Sequence, residues 1–274
     1  MNGPIPELWS PADVAARDAL EHAIRDDDLL AGLLAVEGAD DDARHAVRTE
    51  VASLVDRARE LLLAGHPPHE ALRVVLADEA GLTGDVADYD HPDNSLVSRV
   101  LARRRGLPIL VSSLWVAIAR AAGADAAGVA LPGHYVARVG AQLVDPFAGG
   151  APLDDEGLAR ILATFAPGRP ADPAWLADAT TRATLDRVLR NLARSCGARH
   201  DDLGAYRALR LLATAAPDDA VVHLEVARLT EGFGADALAA QLYERLAKRF
   251  EGRREGQIAA IRVVELGSRS RTLN

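Results

Sequence analysis

Residues 108–122 read PILVSSLWVAIARAA, and this run constrains the fold more than any other. Pro108 suits the first turn of a helix, where its missing N–H costs nothing, and Gly123 suits the stop. Between them Ile109, Leu110, Val111, Leu114, Trp115, Val116 and Ile118 leave almost no polar face. A helix that is apolar nearly all round needs cover on several sides. The rest of the chain must supply it, and Trp115 is expected in the core. Aromatic residues are only 4% of the sequence, so the covering layers are predicted to be Leu, Ala and Val, closely packed.

The flanks read as amphipathic helix. Residues 1–11 hold three prolines and suggest an extended arm, ending in a Ser10-Pro11 helix start. Helical spacing from Ala12 to Leu34 is interrupted at Asp26–Asp28, which predicts two helices. Asp40–Asp42 reads as the solvated start of a third, Ala43–Ala64. That helix places Val47, Val51, Leu54, Val55, Ala58, Leu61 and Leu62 on one face, and Gly65 stops it. The HPPH run at His66–His69 is read as a helix cap before Glu70–Glu79 in preference to a metal site. A polar loop, Gly81–Pro92, follows.

Beyond Gly150 the pattern is helical again. A short helix is predicted over Leu158–Phe165, then a proline-rich boundary at Pro167–Pro173. Helices follow at Thr184–Cys196, Leu203–Ala216, Asp218–Glu231 and Ala235–Phe250. Ala208 and Leu242, and Leu212 and Leu246, match at a spacing of 34, the period of tetratricopeptide helix pairs. The polar tail Gly267–Asn274 is expected to fray.

The central stretch, Asn94–Gly150, holds the chemistry. Asp93 or Asn94 is expected to cap a helix over Ser95–Arg104, with Gly106 ending it; Asn94 either caps or faces a pocket. Arg103–Arg105 either meets an acidic ligand or complements the helix C-terminus. Gly128–Leu131, His134–Val139 and Gln142–Val144 read as antiparallel strands, with a hairpin turn at Gly140-Ala141. That turn brings His134 and Asp145 close to level on neighbouring strands, where a carboxylate fixes an imidazole's tautomer. Ser112 lies one turn on from Pro108, and Ser113 is beside it. Each either bonds back to the carbonyl four residues earlier or offers a hydroxyl to His134.

The composition excludes some classes. A net charge of −9 disfavours nucleic acid and anionic membranes. No apolar run reaches about 18 residues without a charge, so no membrane span is expected. Cys196 is the only cysteine, so no internal disulfide forms, and it is expected to be a small core residue. With no leader-like N-terminus, a cytoplasmic location is expected. No cofactor and no metal are predicted.

Asn94-Ser95, the run Arg103–Ile109 (RRRGLPI), Leu131–His134 (LPGH), and Val144–Phe147 (VDPF) with Gly149-Gly150 occur in order at natural spacings. From about Leu33 to Glu251 the chain resembles the SirB-type transglutaminase-like family. The resemblance implies an α+β, predominantly helical fold. Its transglutaminase/papain-like core with a small antiparallel sheet would be flanked by N-terminal helices and a C-terminal tetratricopeptide-like array. It divides the chain into a helical lead (1–92), the core (93–166) and the repeat-like helices (174–266). His134 and Asp145 match the family's His and Asp. The place of the nucleophilic Cys falls near Pro108, where there is none, and Cys196 lies outside the motif.

Two functions fit these residues. In one, the protein is a degenerate-site binding or regulatory protein that takes a peptide or protein partner through the cleft and the helical repeats. In the other, it is a hydrolase or acyl transferase acting on amide or ester bonds through His134 and Asp145, with Ser112 or an activated water. Asn94, Arg105, Pro108 and Ser113 are the candidate binding residues. A metal site at His134 and Asp145 is a third, weaker reading.

Overall fold

A computed structural model describes residues 10–169 and 172–272. It is 69% helical, with twelve α-helices and a small antiparallel sheet among the described residues. The chain divides into two compact units, one of Ala19–Val188 and one of Met1–Asp18 with Leu189–Asn274.

The helices before the core follow local chemistry closely. Helix α1 (Pro11–Arg25) begins with Ser10 and Asp13 bonding reciprocally, as a capping box does. Asp27 turns left-handed (φ 54°) and Asp28 caps α2 (Leu29–Glu37), so the acidic run separates two helices as expected. Asp40 caps α3 (Asp41–Leu63), which buries Val47, Val51, Val55 and Ala58. Leu54, Leu61 and Leu62, expected on the same face, are only half-buried. Helix α4 (Pro68–Leu72) starts at Pro68, inside the HPPH run, and carries no side-chain cap. It widens into a π-helix over Arg73–Glu79.

Helix α5 spans Val97–Arg103, not Ser95–Arg104, and neither Asp93 nor Asn94 caps it. The Glu37 carboxylate of α2 accepts from the Ser98 N–H at 3.0 Å and from the Ser98 hydroxyl. A neighbouring helix thus supplies the cap. Arg104, in the left-handed region at φ 58°, ends α5. Gly106 instead belongs to a short parallel pair, β1 (Thr83–Gly84) with β2 (Arg105–Gly106).

The apolar run is helix α6 (Pro108–Ala122), closed by Gly123 at φ 96°. It packs against α2, α3, α4 and α5 and against the sheet, which accounts for an apolar surface on several sides. Trp115 is fully buried. The sheet comprises β3 (Ala126–Val129), β4 (Val136–Val139), β5 (Gln142–Asp145), β6 (Ala151–Pro152) and β7 (Asp178–Ala179). Its order is β6-β5-β4-β3-β7, antiparallel throughout. The first strand lies earlier than predicted, and His134 precedes β4. The Gly140-Ala141 hairpin forms as expected, with Val139 paired to Gln142. Val129, Leu131 and Val136 pack with Leu158 and Ile161 of α7 (Asp155–Phe165), which covers the sheet. Of the proline-rich segment 167–173, residues 170 and 171 lie outside the described residues.

The remaining helices are α8 (Thr181–Ala198), α9 (Asp202–Ala215), α10 (Ala220–Gly232), α11 (Asp236–Arg249) and α12 (Arg254–Thr272). From α9 onward each packs on the next, and α10 also packs on α12. The core joins Leu224 and Ala227 of α10, Ala239, Tyr243 and Leu246 of α11, and Ala259 and Leu266 of α12. Helix α12 is absent from the sequence reading. Residues 267–272, expected to fray, continue it, and residues 273 and 274 lie outside the described residues. Cys196 is buried, as expected of a core residue.

Candidate functional site

His134 and Asp145 meet. Nε2 lies 2.9 Å from Oδ2, and both side chains are about nine-tenths buried. The strand register explains the meeting. Ala137 pairs with Val144, so Asp145 lies opposite Val136, and His134, two residues before Val136, sits diagonally across. The second carboxylate oxygen is also engaged: Asp145 Oδ1 accepts from the Phe147 N–H at 3.1 Å. In the neutral tautomer whose Nε2–H donates to this carboxylate, Nδ1 is the imidazole's acceptor. No protein group bonds to Nδ1 among the described residues. The pair can therefore accept a hydrogen bond or a proton at one defined atom.

Aromatic rings surround the imidazole. Phe165 of α7 stacks on it, centroids 5.8 Å apart and planes 7° from parallel, and Phe147 meets it edge-on at 6.0 Å. Tyr89 packs edge-on against Phe147. The seats of both phenyl rings depend on glycine. A Cβ at Gly84 would fall 2.3 Å from the Phe147 ring, and one at Gly133 would fall 2.5 Å from Phe165.

The turn carrying His134 is held from α8. Arg187 donates to the carbonyls of Leu131 (3.2 Å) and His134 (3.0 Å), bracketing Pro132-Gly133. Its guanidinium lies over the Tyr135 ring, 5.5 Å from the centroid. Burial pulls this guanidinium below its usual value, offset by Tyr135 and Tyr89. Burial pushes the Tyr135 phenol above its usual value, and its oxygen lies 2.7 Å from the Thr184 hydroxyl. Sequence reasoning missed Arg187, Phe165 and Tyr89 as parts of this site. Only Phe147 lay within a motif.

The other sequence candidates are placed differently. The Ser112 hydroxyl, expected to bond within its own helix or to His134, donates across to the Tyr135 carbonyl at 3.1 Å. Ser113 is equally buried, and its hydroxyl has no hydrogen-bond partner among the described residues. Pro108 is buried at the first position of α6. Arg105 is exposed, its guanidinium on the carbonyls of Gly81 and Arg104.

Asn94 is fully buried. Its amide nitrogen donates to the carbonyls of Asp88 (2.7 Å) and Tyr89 (3.2 Å), and its oxygen accepts from Arg103 (3.0 Å). Arg103 also pairs with buried Asp85 at 2.6 Å. The Asp88 N–H holds the Asp85 carboxyl below the usual carboxylate range, with Arg103 and Asn94 adding to the effect against the cost of burial. Asn94 therefore ties down the loop that carries Tyr89. Among the described residues no group of three His, Cys, Asp or Glu side chains is placed to hold a metal ion, and no helix is long and apolar enough to cross a membrane.

A family model described as the Transglutaminase-like superfamily matches residues 45–190, which include the sheet, α6 and the His134–Asp145 pair. Proteins named "UPF0162 protein" from two strains of Xylella fastidiosa are 35% identical over 130 residues, 44% of this chain and 46% of theirs. The human F-box only protein 21 is 36% identical over 69 residues, 25% of this chain and 11% of its own. The chain thus spans about half the length of the Xylella relatives it matches. No solved structure matches it.

Proposed function

From the premise that this chain belongs to the transglutaminase-like superfamily, we propose that it is a SirB-type member with a binding or regulatory role. In this reading the aromatic-lined His134–Asp145 site takes a peptide or protein segment, and the helical array, tetratricopeptide-like in its period, presents a second face to the partner. One observation carries this: the matched residues 45–190 contain no cysteine. Thiol acyl transfer needs a thiolate beside the imidazole. The one thiol, Cys196, lies outside the match and is buried. That burial pushes it up to about 11, with Asp201 adding to the shift.

A second reading rests on the 2.9 Å His134–Asp145 contact. A carboxylate-fixed imidazole serves as general base for a water attacking an amide or ester. Ser112 as nucleophile is disfavoured, since its hydroxyl would first have to leave the Tyr135 carbonyl.

The full chain and His134→Ala separate the two. Each is assayed for release from activated esters and glutamine-containing peptides, and for peptide binding by fluorescence anisotropy. The binding role expects saturable peptide binding with hydrolysis at background in both proteins. Turnover above background that His134→Ala abolishes would replace it with the hydrolase reading.

A further inference from the structure

A cavity of about 240 Å³ lies between α10 and α11, in the unit that does not contain His134. Its floor is apolar, made by Val226, Leu242, Leu246 and Phe250, and its rim carries His223, Arg245 and Arg249. Arg253 follows just beyond, its guanidinium over the Phe250 ring at 5.3 Å, with Arg249 over the same ring at 5.5 Å. Small-molecule sites usually enclose roughly 300–1,000 Å³. This volume therefore suits one apolar side chain better than a cofactor.

The charge around the cavity runs against the rest of the molecule. The chain carries −9 overall, and many of its other arginines meet carboxylates, as Arg57 meets Glu79 and Arg138 meets Asp178. At the cavity only Arg249 does, 3.1 Å from Asp218, whose side chain is 89% exposed. Arg253 reaches the Asp218 carbonyl, and Arg245 only the Gln241 carbonyl of its own helix. Neither has an ion pair among the described residues. His223 bonds to the Pro217 carbonyl. The C-terminus of α11 favours cations and accounts for Arg249. It does not account for Arg245, one turn earlier on the same face, where like charges four apart oppose each other.

We propose that this groove docks an acidic segment of a partner protein. One apolar side chain of the segment enters the cavity, and flanking Asp or Glu carboxylates meet Arg245, Arg249 and Arg253. The docking is independent of the His134 reading, since none of these residues belongs to that site.

The test titrates the full chain into a short fluorescent peptide with a central Leu flanked by Asp and Glu. Saturable binding is expected, weakening with salt and falling when Asn and Gln replace the acids or Ala replaces the Leu. Arg245 is exposed, so Arg245→Glu leaves the fold intact by circular dichroism and lowers affinity about tenfold or more. Leu242→Trp, which fills the cavity, lowers it without changing charge. Absence of binding, or binding undiminished by Arg245→Glu, overturns the proposal. So does a single-stranded oligonucleotide of equal charge binding as tightly, which would mean that charge alone is read.

Discussion

Ser112 and Ser113 adjoin in sequence and are equally buried, yet their hydroxyls have different fates. Ser112 bridges α6 to the backbone beside His134, whereas Ser113 finds no partner among the described residues. A buried hydrogen bond is worth about 1 kcal/mol net, and a buried polar group left unbonded costs a comparable amount. Ser112→Ala is therefore expected to lower stability by about 1 kcal/mol, and Ser113→Ala to leave it unchanged or raise it. Urea denaturation at constant slope reads both; equal losses would show that Ser113 has a partner. The sequence placed both on the right helix and could not separate them. A one-residue step rotates a side chain by 100°, and only the packed sheet decides which hydroxyl finds a carbonyl.

At the scale of elements, caps and loops divide into local and borrowed ones. Asp28 and Asp40 cap their own helices, and the break at Asp26–Asp28 and the start at Asp40–Asp42 were legible because a cap and its helix are adjacent in sequence. The cap of α5 was not, because it comes from Glu37, sixty-one residues away. Freed from capping, Asn94 serves with Arg103 and Asp85 to fix the loop before it. This loop has a pH signature. The Asp85 carboxyl lies below its unfolded value of 3.8 in the folded protein. Its contribution is therefore fully present above that value and lost as pH falls through the depressed folded value. Urea midpoints measured from neutral pH down to about 2 should show the wild type losing its advantage over Asp85→Asn only at the acid end. A constant difference between the two across that range would remove Asp85 from the acid response.

For the whole molecule, the single cysteine becomes a reporter of unfolding. A free thiol near its ordinary value of about 8.5 alkylates readily at mildly alkaline pH. Cys196 is buried with its thiol pushed up to about 11. The native chain should resist iodoacetamide and label fully once urea unfolds it. Rapid native labelling would mean that α8 opens at little cost. The amino-acid sequence alone determined the helical lead, the buried α6, the hairpin and the approach of His134 to Asp145, read there as level; the register makes it diagonal. Each of these follows from periodicity or turn geometry over a few residues. It also determined that no cysteine stands in the matched core. Tertiary structure alone decided that Arg187 clamps the His134 turn, that Phe165 stacks on the imidazole, and that Ser112 is spent on the Tyr135 carbonyl. Those contacts join residues 23 to 56 apart. Their partners are chosen by how α6, α7 and α8 pack on the sheet, and no local pattern carries that information.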